Sequence, residues 1–489
     1  MRKINNVLCG MAVCLALTTQ SQAAGHSIDT RLGTLTFDER GMPTEATSEL
    51  LFDWLDFQYG VQTFMWSLPL VGMEGWRQAN IFHGATGEMD MVAYGGYEGS
   101  MGVMTPTSNV TYVFAFPILS KTGPVVWEIP PGEIVGSVQD FWQRGKGDFG
   151  LPGPDKGQGT KLLILGAQHE LAQGADGYRV IKLPTNTAVL GLRILNPDEV
   201  ADLSSKLRLY AFAERNNPPA SKLIFAKGKA YDVAQPKGMA YWQRLNDLIQ
   251  REPVEERDRF YMAMLRQIGI EKGKPFAPSE GQHKTLEAAA IVGEKMAMTN
   301  SFDRFMREES ARFGKGTQWK YVLSPEVPTQ RGEYYESLEE RASYTYEGIA
   351  TSEAMVPTKP GGGSGYVGVY RSSDGQWFDG AETYRLKVPA NPPAKQFWSI
   401  TVYDTVTRSF LQNETKVVEA GSRTKGLVTN SDGTVDIYFG PKAPAGKEAN
   451  WVQTVPGKGW FAFFRFYGPM EGYLNGTWTL PDIEKVSAK

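Results

Sequence analysis

An aspartate and an arginine at the end of one apolar run have the spacing that most clearly suggests chemistry. Asp404 closes the run Phe397-Trp-Ser-Ile-Thr-Val-Tyr-Asp404, and Arg408 follows four residues later. A carboxylate and a guanidinium this close in a turn can form a bidentate ion pair that braces the turn. Alternatively, Arg408 lies at the mouth of a pocket, where its parallel N–H groups would bind the carboxylate or sulfate of a ligand. The sequence leaves both interpretations open.

A second arginine, Arg465, lies in the most aromatic run of the chain, residues 460–467. Because side chains alternate along a strand, the aromatic rings fall on both faces, which predicts a strand buried on both sides. A guanidinium buried there needs an acid. We predict that this acid is Asp404, which ends a neighbouring strand, rather than Asp436.

Familiar catalytic signatures are absent from the sequence. Gly145-x-Gly147-x-x-Gly150 has the spacing of a dinucleotide-binding loop, but Leu-Pro-Gly-Pro follows where a helix should begin. The chain has no P-loop, HExxH or GxSxG motif. Its histidines are scattered and its two cysteines lie at positions 9 and 14, so we predict no metal and no cofactor. A single histidine base, His83 or His169, and a pair of carboxylates remain open as catalytic groups.

Bulk properties and the N-terminus restrict the partners and the location. The net charge is −3 and no basic run occurs, so we expect no nucleic-acid partner. No apolar stretch of about eighteen residues follows the N-terminus, so we expect no membrane span. Arg2 and Lys3, an apolar stretch at 7–17 and Ser21-Gln22-Ala23 predict a signal peptide cut after Ala23. The mature chain would then be periplasmic or secreted.

The hydrophobic pattern changes along the chain. Apolar residues three and four apart predict a helix over 49–66 that ends at Pro69, and short apolar runs predict strands over 89–210. Helix formers dominate residues 238–251, 254–268 and 284–313, and the chain is β-rich from residue 319 onward. We predict a mainly β (α+β) protein with two β-sandwich or jelly-roll-like domains joined by a helical segment. The predicted parts are a signal peptide (1–23), an N-terminal β-rich domain with an early helix (24–217), a helical connector (218–315) and a C-terminal jelly-roll-like β-sandwich (316–489).

Ordered motifs resemble a secreted bacterial family built from two paired domains of unknown function, numbered 1254 and 1214. The C-terminal motifs are 397–404, Thr407-Arg408, Asn413, Ser431-Asp-Gly-Thr-Val-Asp-Ile-Tyr-Phe-Gly-Pro441, Asn450-Trp-Val-Gln-Thr-Val-Pro-Gly-Lys-Gly-Trp-Phe461, Arg465-Phe-Tyr-Gly-Pro469 and Thr477-Trp478. Those of the first domain are Gly123-Pro-Val-Val-Trp-Glu-Ile-Pro-Pro131 and Asp148-Phe-Gly-Leu-Pro-Gly-Pro-Asp-Lys-Gly157. The resemblance implies a β-sandwich or jelly roll in both halves and brings no established reaction.

One segment departs from that family. Where its members usually have Thr-Pro-Asn-x-Asp-Thr-x-Tyr, this chain has Thr-Pro-Thr-Ser-Asn-Val-Thr-Tyr at 105–112. Asn109 therefore replaces the acid, three residues before Tyr112. An amide forms hydrogen bonds but cannot relay a proton at neutral pH, so we expect no acid–base role for this position.

Two hypotheses of function follow. The first is an exported binding module that holds a glycan, another cell-envelope component or a further copy of itself. The alternative is a cofactor-free hydrolase or lyase that acts on a carbohydrate or small amphiphile through carboxylates and tyrosines. Lys458 could also contribute to a pocket. The candidate binding residues are Asn109, Tyr112, Trp398, Tyr403, Asp404, Arg408, Asn413, Asp436, Trp451, Trp460 and Arg465.

Overall fold

A short hairpin is the first element in the computed structural model, which describes residues 25–171 and 173–486. The predicted signal peptide, residues 1–23, lies outside the described residues. The chain divides into two units, 1–56 and 57–489. In the first unit, β1 (Ser27–Thr30) pairs antiparallel with β2 (Gly33–Thr36). Gly33 has a φ of +121°, a conformation that glycine adopts at little cost, and so closes the hairpin.

The helix predicted over 49–66 is much longer than expected. Helix α1 covers Glu45–Phe82 and contains Pro69 in its interior, so the prediction that Pro69 ends it is wrong. The residues around Pro69 are buried on every side of the helix, and this includes Leu68 and Leu70. Burial on all faces stabilises the helix enough to offset the backbone hydrogen bond that a proline removes.

The strands predicted between residues 89 and 210 form two sheets together with β12, which lies beyond that range. Their strands are β3 (Met91–Gly95), β4 (Thr111–Ala115), β5 (Val125–Ile129), β6 (Ile134–Asp140), β7 (Gly145–Gly150), β8 (Thr160–Leu165), β9 (Arg179–Lys182), β10 (Ala188–Ile194), β11 (Arg208–Ala211) and β12 (Leu223–Phe225). One sheet has the order β12-β3-β4-β10-β6-β7 and the other β11-β5-β8-β9. Strand β7 therefore lies at an edge of the six-stranded sheet.

Helices α2 to α9 follow α1 along the chain. They are α2 (Gly96–Gly99), α3 (Leu119–Thr122), α4 (Val200–Lys206), α5 (Met239–Arg251), α6 (Arg259–Gln267), α7 (Glu280–Phe302), α8 (Leu338–Glu347) and α9 (Glu471–Leu474). The three helices predicted in the middle of the chain correspond to α5, α6 and α7. Ser279 and Gln282 form a capping box that starts α7, since each side chain accepts a hydrogen bond from the other residue's backbone N–H.

Two more sheets follow in the C-terminal part. Their strands are β13 (Lys320–Tyr321), β14 (Ser364–Val369), β15 (Tyr384–Val388), β16 (Ala394–Asp404), β17 (Glu419–Gly421), β18 (Val435–Gly440), β19 (Trp451–Gln453), β20 (Trp460–Pro469) and β21 (Glu484–Lys485). The orders are β13-β14-β20-β16-β17 and β19-β18-β15-β21. Strand β20 is central and buried along its whole length, as its aromatic residues predicted.

Three large apolar clusters and one smaller one lie among the described residues. One joins the two N-terminal sheets, for example Val113 and Leu190 to Trp127. A second joins the two C-terminal sheets through side chains such as Val402 and Ile437. The third combines helices α1, α5 and α7 with the remaining faces of β4, β14, β16 and β20. These helices fill a core shared by both halves. With 29% helix and 26% strand, the chain is a mixed α+β protein.

Hydropathy along the helices bears on membrane association. Among the helices of the described residues, none combines the length and the apolar character that a membrane crossing requires.

Candidate functional site

The segment 105–112, where Asn109 replaces an acid, forms hydrogen bonds with a carboxylate from elsewhere in the chain. Glu419 in β17 accepts hydrogen bonds from the Thr107 hydroxyl at 2.7 Å and the Ser108 amide at 2.8 Å, and also from the Ser108 hydroxyl. A fourth donor is the hydroxyl of Thr401 in β16, at 2.9 Å. Glu419 is buried, so this cluster fixes the loop before β4 against the C-terminal sheet. Asn109 itself is only partly buried.

Arg465 is buried beside this loop, but its partners differ from those predicted. Its guanidinium donates to the Thr401 hydroxyl at 2.9 Å and to the Thr105 carbonyl at 2.7 Å. The expected ion pair with Asp404 is not formed. In the antiparallel pair of β16 and β20, Ser399 is opposite Arg465, whereas Asp404 is opposite Trp460. Five residues of a strand span roughly 17 Å, which puts the carboxylate out of reach.

A second arginine, Arg193 of β10, approaches the same place from the N-terminal sheet. Its guanidinium donates to the hydroxyl of Tyr366 in β14 at 2.6 Å. It also lies 5.8 Å from the centre of the Tyr112 ring. The guanidinium of Arg465 lies 5.7 Å from the centre of the Tyr366 ring. Two cationic side chains from different sheets therefore meet around the same tyrosines.

These side chains surround a small cavity, which we call the arginine cavity. Its accessible volume is about 40 Å³, and its lining includes Trp76, Tyr112, Arg193, Tyr344, Tyr366 and Arg465. A water-sized sphere needs about 10–15 Å³ of such volume, so the cavity can hold about three small polar groups.

The charge of the arginine cavity is positive. Within the described residues, neither Arg193 nor Arg465 has a carboxylate oxygen within 4.0 Å. The hydroxyl of the neighbouring Tyr467 is buried without a hydrogen-bond partner. An unsatisfied buried hydroxyl is costly.

The protonation state of the tyrosines also affects which ligands the arginine cavity can bind. Burial raises the pKa of Tyr112, although the guanidiniums of Arg193 and Arg465 lower it. Burial likewise raises the pKa of Tyr344 far above its ordinary value. These phenols are therefore neutral at physiological pH. Tyr344 already donates to the Ala350 carbonyl at 2.9 Å, whereas the Tyr112 hydroxyl accepts from the Thr107 amide at 3.1 Å and keeps its proton. Two cations and one neutral hydroxyl can bind an anion.

Three of the sequence-predicted residues meet at this place. Tyr112 and Arg465 line the arginine cavity. Tyr403 packs beside them, with its ring centre 5.6 Å from the guanidinium of Arg465, and its hydroxyl donates to the Pro106 carbonyl at 2.6 Å.

Asp404 and Arg408, which lie four residues apart in the sequence, do not form an ion pair. Asp404 accepts from the amide of Val406 at 2.7 Å and pairs with Lys458 at 2.9 Å. The guanidinium of Arg408 donates to the Tyr346 carbonyl at 2.9 Å and stacks on that residue's ring. Arg408 is buried and adopts a φ of +55°, so its side chain turns inward. The predicted Asp404–Arg408 ion pair is therefore wrong, and Asp404 instead holds the turn through the amides of Val406 and Thr407 and through Lys458.

The other predicted residues do not line the arginine cavity. Trp398 stacks on Phe464, and Trp460 is buried in the cluster between the C-terminal sheets. Asn413 donates to the carbonyls of Val417 and Gln453, Trp451 donates to the Gly440 carbonyl, and Asp436 accepts from Asn430. The histidines His83 and His169 are also absent from the lining.

Sequence reasoning missed Arg193, Trp76, Tyr366 and Glu419. Arg193 carried a usable signal, because it is the single charged residue in the run Ala188-Val-Leu-Gly-Leu-Arg-Ile194. The same kind of pattern drew attention to Arg465. Trp76 and Tyr366 carried no comparable signal.

Solved structures give a partial match to this fold. A crystal structure of the VPA0106 protein from Vibrio parahaemolyticus is 17% identical, with a TM-score of 0.54, and the match covers 88% of this chain and 100% of that one. A putative uncharacterized protein from Burkholderia cenocepacia is 10% identical, with a TM-score of 0.40 and coverage of 91% and 97%. The first match shows similarity of fold alone. No curated protein matches the chain.

One family model matches each half of the chain. Residues 93–211 match DUF1254 and residues 363–471 match DUF1214, each described as a protein of unknown function. Strands β4 and β10, which carry Tyr112 and Arg193, lie in the first match, and β14 and β20 lie in the second. The chain thus contains an N-terminal DUF1254 domain and a C-terminal DUF1214 domain, the pair that its motifs predicted.

Proposed function

We propose that this protein binds a ligand through a carboxylate group that enters the arginine cavity. The observation that carries the proposal is the convergence of Arg193 and Arg465 on one cavity, with no carboxylate within 4.0 Å of either among the described residues. A guanidinium that is removed from water needs a negative partner. An anionic ligand would supply it.

Size favours a carboxylate over a larger anion. The cavity holds about three water-sized groups, which matches two oxygens and one carbon. A guanidinium binds both oxygens of a carboxylate through parallel N–H groups. The rest of the ligand would leave on the side of Arg193, which is partly exposed, whereas Arg465 is buried.

The proposed ligand class is a glycan or other cell-envelope component that carries an acidic group. A sugar ring exceeds the cavity volume of about 40 Å³, so the carboxylate alone would enter and the ring would stay outside. The protein would therefore be a binding module for acidic ligands.

The test is calorimetric titration of the purified protein with glucuronate, and with glucose as the neutral counterpart. We expect glucuronate to bind and glucose to bind at least tenfold more weakly. Arg193→Gln should weaken glucuronate by at least tenfold, because a hydrogen bond to a charged group contributes about 1.5–3 kcal/mol and 1.4 kcal/mol is tenfold. Acetate, sulfate and phosphate form the comparison that separates a carboxylate site from a general anion site.

Arg423→Gln is the matched control. Arg423 also bridges the two halves, because it donates to the Leu195 carbonyl at 2.9 Å and stacks on Phe397, but it does not line the cavity. This variant should bind glucuronate as the unaltered protein does. Equal binding of glucose and glucuronate, or equal losses in the two variants, would contradict the proposal. Turnover of the bound ligand would favour the hydrolase or lyase hypothesis instead.

We further propose that the chain is exported with cleavage after Ala23 and that each pair of sheets is a jelly-roll-like sandwich. The charged start and short apolar run of the sequence support export, and the apolar cluster within each sheet pair supports the sandwich.

Export is tested by N-terminal sequencing of the protein from the periplasmic fraction, which should begin at residue 24. Native mass spectrometry of the same fraction would test the proposed self-association.

A further inference from the structure

Residues 350–356 lie between the arginine cavity and a wider groove. Met355 lines the arginine cavity, whereas its neighbours Ala354 and Val356 line a groove of about 730 Å³ beside β7, which we call the β7 groove. A third, small cavity of about 30 Å³ lies between the 350–356 segment and the six-stranded sheet, and it shares Arg193 and Met355 with the arginine cavity. The segment therefore separates the open groove from both inner cavities.

The path beneath this segment follows one face of the six-stranded sheet. Arg193 is opposite Val135 in the pair of β10 and β6, and Ser137 is opposite Asp148 in the pair of β6 and β7. Because opposite residues and residues two apart on a strand share a face, these four side chains lie on the same face. Arg193 lines the arginine cavity, all but Asp148 line the small cavity, and Asp148 lines the β7 groove. One face of the sheet thus connects the three concavities.

Glutamine side chains and backbone hold one end of the segment. The amide of Ala350 donates to the side chain of Gln143 at 2.7 Å, and the amide of Thr351 donates to the side chain of Gln139 at 3.3 Å. The Thr351 hydroxyl donates to the Gln143 carbonyl at 3.0 Å. Three consecutive glycines, 361–363, follow the other end. Glycine has few backbone restrictions, so this end can act as a hinge.

One carboxylate holds the middle of the segment. The amide of Ala354 donates to the carboxylate of Asp148 at 3.0 Å. Among the described residues, no cationic nitrogen lies within 4.0 Å of this carboxylate. Charged groups approach it from several elements, and they are Glu353 of the segment, Arg179 of β9, Arg193 of β10, and Lys146 and Lys359, which line the groove.

We propose that the 350–356 segment is a lid over the arginine cavity, which opens to admit a ligand from the β7 groove, and that ionisation of Asp148 favours its opening. The proposal rests on the proposed function for the ligand, because the lid controls access to that site. Met355 separates the inner cavities, and its flexible unbranched side chain can move aside as the segment opens.

The effect of pH follows from the surroundings of Asp148. Burial raises the pKa of Asp148 to about 6, against the lowering effects of the Ala354 amide, Arg179 and Arg193, and Glu353 also raises it. Opening exposes the carboxylate to water, where its pKa returns toward 3.8. A proton therefore binds the closed form more tightly, and the closed form is favoured at low pH. With these pKa values, the ratio of open to closed forms rises about tenfold between pH 5 and pH 7.

Hydrogen exchange tests the lid without any ligand. Mass spectrometry gives the protection of peptides that contain residues 350–356, relative to the intrinsic exchange rate at the same pH. We expect this protection to be about tenfold lower at pH 7 than at pH 5. Asp148→Asn, whose side chain stays neutral, should keep the higher protection at both values. Asp155→Asn is the matched control, because Asp155 also accepts from a backbone amide, that of Gly150 at 2.9 Å, but does not line the groove. This variant should respond to pH as the unaltered protein does.

Stopped-flow mixing with glucuronate tests whether the lid controls entry. Trp76 lines the arginine cavity, so tryptophan fluorescence follows binding. At pH 7, Asp148→Asn should slow both association and dissociation about tenfold with little change in Kd, because a lid alters entry and exit equally. A residue that contacts the ligand, such as Arg193, should instead change the Kd.

Three results would overturn the proposal. They are protection that is equal at the two pH values or higher at pH 7, an Asp148→Asn variant that keeps the pH response, and unchanged rates in that variant while glucuronate binds. If glucuronate does not bind to the unaltered protein, the proposed function fails, whereas hydrogen exchange still decides whether the segment opens with pH.

Discussion

Replacement of Glu419 by glutamine should destabilise the protein strongly, although it changes a single atom. The carboxylate accepts four hydrogen bonds, from Thr107, Thr401 and both the amide and the hydroxyl of Ser108. An amide nitrogen cannot accept, so at least two of these donors lose their acceptor in a buried site. Hydrogen bonds to a charged group contribute about 1.5–3 kcal/mol each. We expect a loss of about 3 kcal/mol in the free energy of unfolding.

The assay is urea denaturation followed by tryptophan fluorescence. Glu98→Gln serves as the control, because Glu98 also pairs across the two halves, with Lys416 at 2.8 Å, but both side chains are exposed. Exposed pairs contribute about 0–1 kcal/mol, so this variant should unfold nearly as the unaltered protein does. The Glu419 variant should also be cleaved faster by protease near residues 105–112.

A loss below 1 kcal/mol for the Glu419 variant would refute the reasoning. It would mean that the hydroxyls of Thr107 and Thr401 rotate and accept from the new amide. Equal losses in the two variants would show that burial of the carboxylate is not what matters.

Three further predictions concern packing and titration. Lys320→Met should lower the free energy of unfolding by about 3 kcal/mol in thermal denaturation, because it strands the buried carboxylate of Glu347, 3.2 Å away; an unchanged melting curve would contradict this. Gly365→Ala should destabilise by about 1–3 kcal/mol, since its Cβ would meet a tyrosine ring at 2.5 Å, whereas Gly362→Ala has open space and should be neutral in the same denaturation series. Burial raises the pKa of Asp148 from 3.8 to about 6, so the folded state binds more protons than the unfolded state and stability falls as pH rises from about 4 to 6. Asp148→Asn should remove this fall, and parallel slopes for the two proteins would contradict the assignment.

Local pattern was enough to predict many of the elements. The aromatic run at 460–467 lies in the central strand β20, buried on both faces, because alternation and side-chain size act within the strand itself. The apolar runs that became β5 and β8, and the helix formers that became α5 and α7, were recognisable for the same reason. The two domains of unknown function were also identified from motifs.

Tertiary structure alone decided which side chains meet. The register of β16 against β20 separates Asp404 from Arg465, and a register is set by pairing over the whole sheet rather than by any residue in it. Arg193 reaches the arginine cavity from a strand of the other half, so its role depends on how the halves pack. The continuation of α1 past Pro69 depends on the same core, which buries the helix on all sides. Sequence alone predicted that an arginine would be buried in β20. Only the fold determined that this arginine bonds to a hydroxyl and to carbonyls and lines a cavity with a second arginine, because those contacts join segments far apart in the chain.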